Sequence, residues 1–300
     1  MKQYYLLGLF AFLFPVLLVA ADAQKGYTLA NFMKVTKPEG KKQPVSYDTA
    51  IMKFVDEKND AEIDLIGAVH VGDKEYYTEL NEIFKRYDAV LYELVAEENT
   101  RPIKPSDKSG DDNHKSVLSS IQSSMGNTLA LDHQLDHIDY HATNMVHADL
   151  SPSEFARRVS DRGDIVQMLY RIMVLGIKKS GQEAQKDELR MQGRLLGSFF
   201  ASDPALSLKR VLAEETMSQM DDATWVIGGE GSAIITDRNA AALKVLKQEL
   251  KNGKKKIAIF YGAAHLAEFA KSLEKDFLMK YAGTDWVIAW DLTKDKSARK

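Results

Sequence analysis

The chain has 300 residues, 45% hydrophobic and 28% charged, an ordinary balance for a globular protein and enough to bury a sizeable core. A formal net charge of −3 leaves no surplus of positive charge to neutralise phosphates, so nucleic acid is not expected as a partner. No cysteine is present, which removes disulfides, thiolate nucleophiles and cysteine-ligated metals from the possible chemistry.

The first 23 residues stand apart. Lys2 supplies a positive end, residues 4–20 are nearly all apolar, and Ala21-Asp22-Ala23 is a small-x-small pattern ahead of Gln24. This is the layout of a signal peptide cleaved after Ala23, which sends the mature protein to the periplasm or the outside of the cell. A membrane enters only if that segment stays uncleaved, since the run is nearly long enough to span a bilayer.

Residues 24–300 are expected to form one domain. Residues 51–55 alternate weakly and read as an edge strand. Residues 63–69 form a short apolar run, Tyr76, Leu80, Ile83, Phe84 and Tyr87 follow at helical spacing, and residues 89–92 are apolar again. That is a βαβ unit, which closes onto a parallel sheet. Residues 100–114, rich in Pro, Ser, Asp and Lys, read as a surface loop that leaves His114 exposed.

A helical insertion is expected at about 115–225. Ser151-Pro152-Ser153-Glu154 is a capping box with Pro at the first helical position, so a helix starts there. Ile165, Met168, Leu169 and Ile172 make one apolar face; Leu189, Leu195, Leu196, Phe199 and Phe200 make another; Leu208, Val211 and Leu212 a third. Faces this apolar are expected to pack, with the methionines and aromatics of the insertion in a core.

The last third carries Ile235, Asn239, Ala242, Leu243, Leu246 and Leu250 as one helical stripe closed by Asn252-Gly253, a buried strand at 257–261, a helix from about 265 to 278, and a strand at 286–290. Residues 293–300 are a solvated charge run. Strands that are apolar throughout suit a sheet covered on both faces. The predicted class is therefore α/β: a mostly parallel central sheet with helices on both faces and the helical insertion between its N- and C-terminal parts.

In such sheets ligands gather at the carboxyl ends of the strands. Two strands end there in Gly-x-x-His turns, Gly67-Ala68-Val69-His70 and Gly262-Ala263-Ala264-His265, and a third, residues 89–92, delivers Glu93. The glycines Gly67 and Gly262 leave the backbone free to turn sharply or to let a ligand come close. Arg238 lies near the apolar stripe of its helix and requires an anionic partner, Glu93 or Asp237, or a pocket.

The order of these motifs, Gly-x-x-His, a strand ending in Glu, Arg238-Asn239 opening a helix, then Gly-Ala-Ala-His-Leu at 262–266, resembles the TraB/GumN/TIKI family, which is grouped with ChaN-like haem-uptake proteins and erythromycin esterases. The likeness covers residues 63–93 and 235–278, with a fainter one at 132–155. Where the family commonly has Thr after the first glycine, this chain has Ala68. The resemblance implies a site of His70, Glu93, Arg238 and His265, with Asn239 beside Arg238 on the substrate. It further implies a divalent metal (Mn, Co or Zn) held by His70, Glu93 and His265. Two imidazoles and a carboxylate leave an open position where water becomes a nucleophile. Glu93 and Arg238 are then the catalytic groups of a peptidase or amidase acting on a peptide or small-molecule substrate. In the esterase relatives a similar constellation works without metal, as base and orienter. A different class of reading, a binder of haem, iron or a signalling peptide, is open as well.

His133, His137 and His141 are spaced i, i+4, i+8 beside Asp132 and Asp136. On one helix they would line a polar face opposite Leu131, Leu135 and Ile138, or form a second metal site. His147 is placed to border the site from the insertion.

Overall fold

The computed structural model describes residues 26–98, 100–102, 129, 131–179, 182–226 and 231–293. The expected signal peptide, the loop beyond residue 102 with His114, and the charged tail from 294 onward lie outside the described residues.

Seven strands form the central sheet: β1 (Met33–Thr36), β2 (Ser46–Asp56), β3 (Ala61–Ala68), β5 (Ala89–Tyr92), β7 (Met145–His147), β8 (Lys256–Gly262) and β9 (Lys280–Asp291). β4 (Val71–Gly72) and β6 (Asp132–His133) make a separate small ribbon. In the α/β half, β3, β8, β5 and β7 lie side by side and run parallel. The other half is antiparallel: β2 pairs β9 from Ser46 to Val55, and on its other side meets β1 through Ser46–Thr49 and β3 through Ile51–Asp56. Nearly every residue of β3, β5 and β8 is buried, so both faces of the parallel part are covered, as expected from their unbroken apolar runs.

Two details differ from the sequence reading. Residues 51–55 are not an edge strand: β2 is interior, because β9 returns from more than 200 residues away to take its free side. The unit β3, α1 (Lys74–Phe84), β5 exists, but β8 lies between its two strands, so they do not touch.

α1 buries Tyr76, Tyr77, Leu80, Ile83 and Phe84. The Tyr76 hydroxyl donates to the Gly67 carbonyl at 2.8 Å and so fixes the end of β3. α7 (Arg238–Lys251) continues from a π-helical turn, Ala233–Asp237, and stops where Gly253 takes φ +86, a left-handed conformation that glycine adopts without strain. α8 (Ala263–Lys275) starts directly at the end of β8.

The insertion comprises α2 (Gln134–His137), α3 (Pro152–Arg162), α4 (Asp164–Lys178), α5 (Gln182–Phe199) and α6 (Pro204–Val226). The capping box at Ser151 is formed in both directions, Ser151 to the Glu154 N–H and Glu154 to the Ser151 N–H. α6 is the anchored helix: Val211 is buried, Leu208 and Leu212 pack against the core, and Arg210 donates to the Leu292 carbonyl. The other two apolar faces do not pack as expected. Ile165, Leu169, Ile172, Leu189, Leu196, Phe199 and Phe200 are all exposed, and so are Tyr170 and Met173.

The histidine trio is also rearranged. Only residues 134–137 are helical, so His133 lies on β6, His137 ends the short helix and His141 sits in a turn. His137 bonds Asp132 at 2.9 Å and stacks on Tyr77, and His141 bonds the Pro102 carbonyl. They share no face, because Gln134 bonds back to the His70 carbonyl and pins the segment to the sheet edge instead.

Candidate functional site

Parallel pairing sets the carboxyl ends of three strands at one rim. Gly67 lies opposite Tyr261, Ala68 opposite Gly262, and Tyr92, just before Glu93, opposite Phe260. The turns after β3, β5 and β8 therefore open together, which brings His70, Glu93 and His265 to the same end of the sheet.

Glu93 is the hub. Its Oε2 accepts the Gly262 N–H at 2.7 Å, and its Oε1 accepts from Arg238 Nη2 at 2.8 Å and faces His265 Nε2 at 3.7 Å. A Cβ at Gly262 would stand 3.3 Å from Glu93 Oε2, close enough that the carboxylate would have to shift by a few tenths of an ångström, while the φ of −53 asks nothing special of the backbone. Gly67 leaves only ordinary contact distances to Thr49 and Phe32.

His265 is 4% exposed and held from behind. Asn239 donates its Nδ2 to the His265 carbonyl at 3.2 Å, which turns its Oδ1 toward His265 Nδ1 at 2.7 Å. The ring proton thus sits on Nδ1, and Nε2 presents a lone pair toward Glu93. Asn239, expected at the substrate, is 1% exposed with both amide atoms engaged by His265, so its role is to orient that ring.

Arg238 reaches two carboxylates. Besides Glu93, it forms a two-pronged bond with Asp149 at 3.0 and 2.6 Å, and the Asp149 side chain has no exposure at all. Phe155 lies under the guanidinium at 5.9 Å. Asp237, the other candidate partner, bonds Arg162 instead at 2.7 and 2.8 Å. Asp149 is the functional residue that the sequence reading missed as a partner, and the arginine's need for an anion was the only signal toward it.

His70 stands exposed at the mouth, its Nδ1 bonded to Gln134 Oε1 at 3.2 Å, with Gln134 in turn donating to the Tyr140 hydroxyl. His147 ends β7 opposite Tyr92 at the same rim, with its Nε2 bonded to the Leu94 carbonyl at 2.6 Å.

Burial works against the charge of Glu93, but His265, Arg238, the Gly262 N–H and His70 outweigh it and hold the carboxyl below its usual range. Burial pushes His265 down to about 4, with Arg238 adding to the shift and Glu93 opposing it, so the imidazole is neutral at pH 7. Burial also opposes the charge of Arg238, and the bond to Asp149 with the field of Glu93 overcomes it.

The donor types suit a divalent cation. In each histidine Nδ1 rests on an amide oxygen and leaves Nε2 as the lone-pair atom, the support that metal-bound imidazoles commonly have. The gathering does not suit one as it stands. The Glu93 oxygen facing His265 already carries the Arg238 guanidinium, and among the described residues no group of three or more His, Cys, Asp or Glu is placed to hold a metal ion.

No family model, curated protein or solved structure matches the chain. The reading of the site consequently rests on its geometry and on the motif order.

Proposed function

We propose that the chain is an exported hydrolase of the TraB/GumN/TIKI type that splits a peptide or amide bond with water activated between Glu93 and His265. One observation carries the reading: Glu93 Oε1 and His265 Nε2, both electron-pair acceptors of a proton, face one gap of 3.7 Å. Two acceptors set this way need a hydrogen donor between them, and a water molecule gives one O–H to each. Its remaining lone pairs then point outward to the mouth, where His70 stands.

In this scheme Glu93 or His265 takes the proton as the water oxygen attacks the carbonyl carbon. Arg238 stays on Glu93 and steadies its charge, and Asp149 holds Arg238 in place. The proton taken from water is the one returned to the leaving nitrogen, and the exposed His70, whose Nδ1 proton rests on Gln134 Oε1, offers an accepting Nε2 at the mouth to orient water or substrate.

A second reading is favoured by the support of both rings, His70 Nδ1 on Gln134 and His265 Nδ1 on Asn239, which leaves each Nε2 as a lone-pair atom. Here His70, Glu93 and His265 would hold a divalent ion of the Mn, Co or Zn type once the Glu93 oxygen was freed from Arg238, and the ion would acidify bound water.

One set of measurements tests both. Hydrolysis of peptide, amide and ester substrates is followed for the wild type, Glu93→Gln and His70→Ala, with elemental analysis of protein purified without chelators. The expected result is a loss of about 10²–10⁴-fold in each variant with unfolding temperature nearly kept. About one equivalent of metal selects the second reading. An intense Soret band, or full activity in Glu93→Gln, overturns the proposal.

A further inference from the structure

Helix α4 wears its amphipathic pattern inside out. Ile165, Val166, Leu169, Tyr170, Ile172 and Met173 are 50%, 72%, 59%, 60%, 47% and 56% exposed. They fall at i, i+1, i+4, i+5, i+7 and i+8, which at 100° per residue is one arc of about 160°, the face that a globular protein normally buries. The helix is nonetheless firmly seated at its start: Asp164 is 5% exposed and accepts the Ala233 N–H at 2.7 Å.

Six large side chains at about 200 Å² each expose, at these fractions, on the order of 700 Å². Patches on monomers are usually about 300–600 Å², and each partner of a stable complex buries about 800 Å². The face is therefore close to what a stable pair of molecules needs.

Charge decides the occupant. Helices that lie on anionic lipid flank their apolar stripe with Lys and Arg. The exposed arc of α4 holds no charge; Arg171 falls outside it and bonds Gln167, and Lys179, just past the end of the helix, pairs with Asp222. A stripe without charge is complementary to itself, since two copies facing each other about a two-fold axis bury no unpaired ion. We propose that α4 is a dimerisation helix that pairs with α4 of a second copy of this chain, its six exposed apolar side chains forming the seam.

The absence of cysteine makes the test clean. The chain is expressed whole, purified after export, and each of the six positions is replaced in turn by Cys, with Lys251→Cys as an exposed control. Mild oxidation should join copies through at least one α4 position within minutes and leave the control monomeric. Sedimentation equilibrium at micromolar concentration should give twice the chain mass, and Leu169→Glu should weaken the association by 100-fold or more without changing the circular dichroism. Three results overturn the proposal. One is a monomer at all concentrations whose α4 cysteines react freely with a maleimide. Another is a monomer whose α4 cysteines are protected, which puts another part of the same chain on this face. The third is binding to phosphatidylglycerol vesicles with no dimer in solution.

Discussion

His265 keeps its proton on Nδ1 against Asn239 and so offers a lone pair to the gap beside Glu93. Water activation there needs Glu93 ionised and His265 unprotonated. With His265 pushed down to about 4, the rate should rise as pH climbs through about 4 and then stay level toward neutrality. Arg238 contributes to that depression, so Arg238→Gln should move the acid limb to higher pH as it lowers the plateau. A profile of kcat/KM from pH 3 to 8 reads both effects. A limb near 6.5, the ordinary histidine value, would remove His265 from this role. The residues that make the pair were legible because each directly follows a strand or opens a turn. Asp149 was not, since it meets Arg238 across 89 residues of sequence and no local pattern joins them.

At the scale of elements, helix α6 of the insertion is tied to the sheet by a buried ion pair. Lys209 of α6 donates to Asp73 at 3.0 and 3.3 Å, with side chains only 5% and 4% exposed, and Asp73 also accepts the Asp291 N–H at the end of β9. Removing one partner strands the other charge in a dry setting. Lys209→Met is therefore expected to cost about 3–5 kcal/mol, and adding Asp73→Asn should return part of the loss. Urea unfolding of both variants measures this; a cost under about 1 kcal/mol for Lys209→Met would show the pair to be hydrated. Element ends were read well where they carry local chemistry, as with the box at Ser151 and the stop at Gly253. The histidine trio was misread because spacing alone assumed a helix that tertiary bonds from Gln134 break after one turn.

The stability of the whole molecule carries a pH signature of its own. Asp64 is 2% exposed in β3, where burial raises its pKa to about 6 against the help of the Tyr87 hydroxyl, and its Oδ1 has no hydrogen-bond partner among the described residues. A carboxyl whose folded pKa lies above its unfolded one favours the folded state only while protonated. Its contribution is present below about 4 and is lost as pH rises through about 6, a change of about 3 kcal/mol over two units. Asp64→Asn should therefore gain stability over the wild type as pH rises from about 4 to about 6 and hold that gain above it. Unfolding curves at several pH values check it, and a gap that does not widen with pH would mean that Asp64 stays ionised when folded.

By itself the sequence determined the α/β class, the strands that are buried on both sides and the three residues at their carboxyl ends. All of these depend on neighbours within a few positions along the chain. Only the tertiary structure decided that β8 separates β3 from β5, that β9 closes on β2, that Arg238 leans on Asp149 and that the apolar arc of α4 stays in solvent. The physical reason is that periodicity records which face of an element is apolar, whereas what covers that face depends on contacts between segments far apart in the chain.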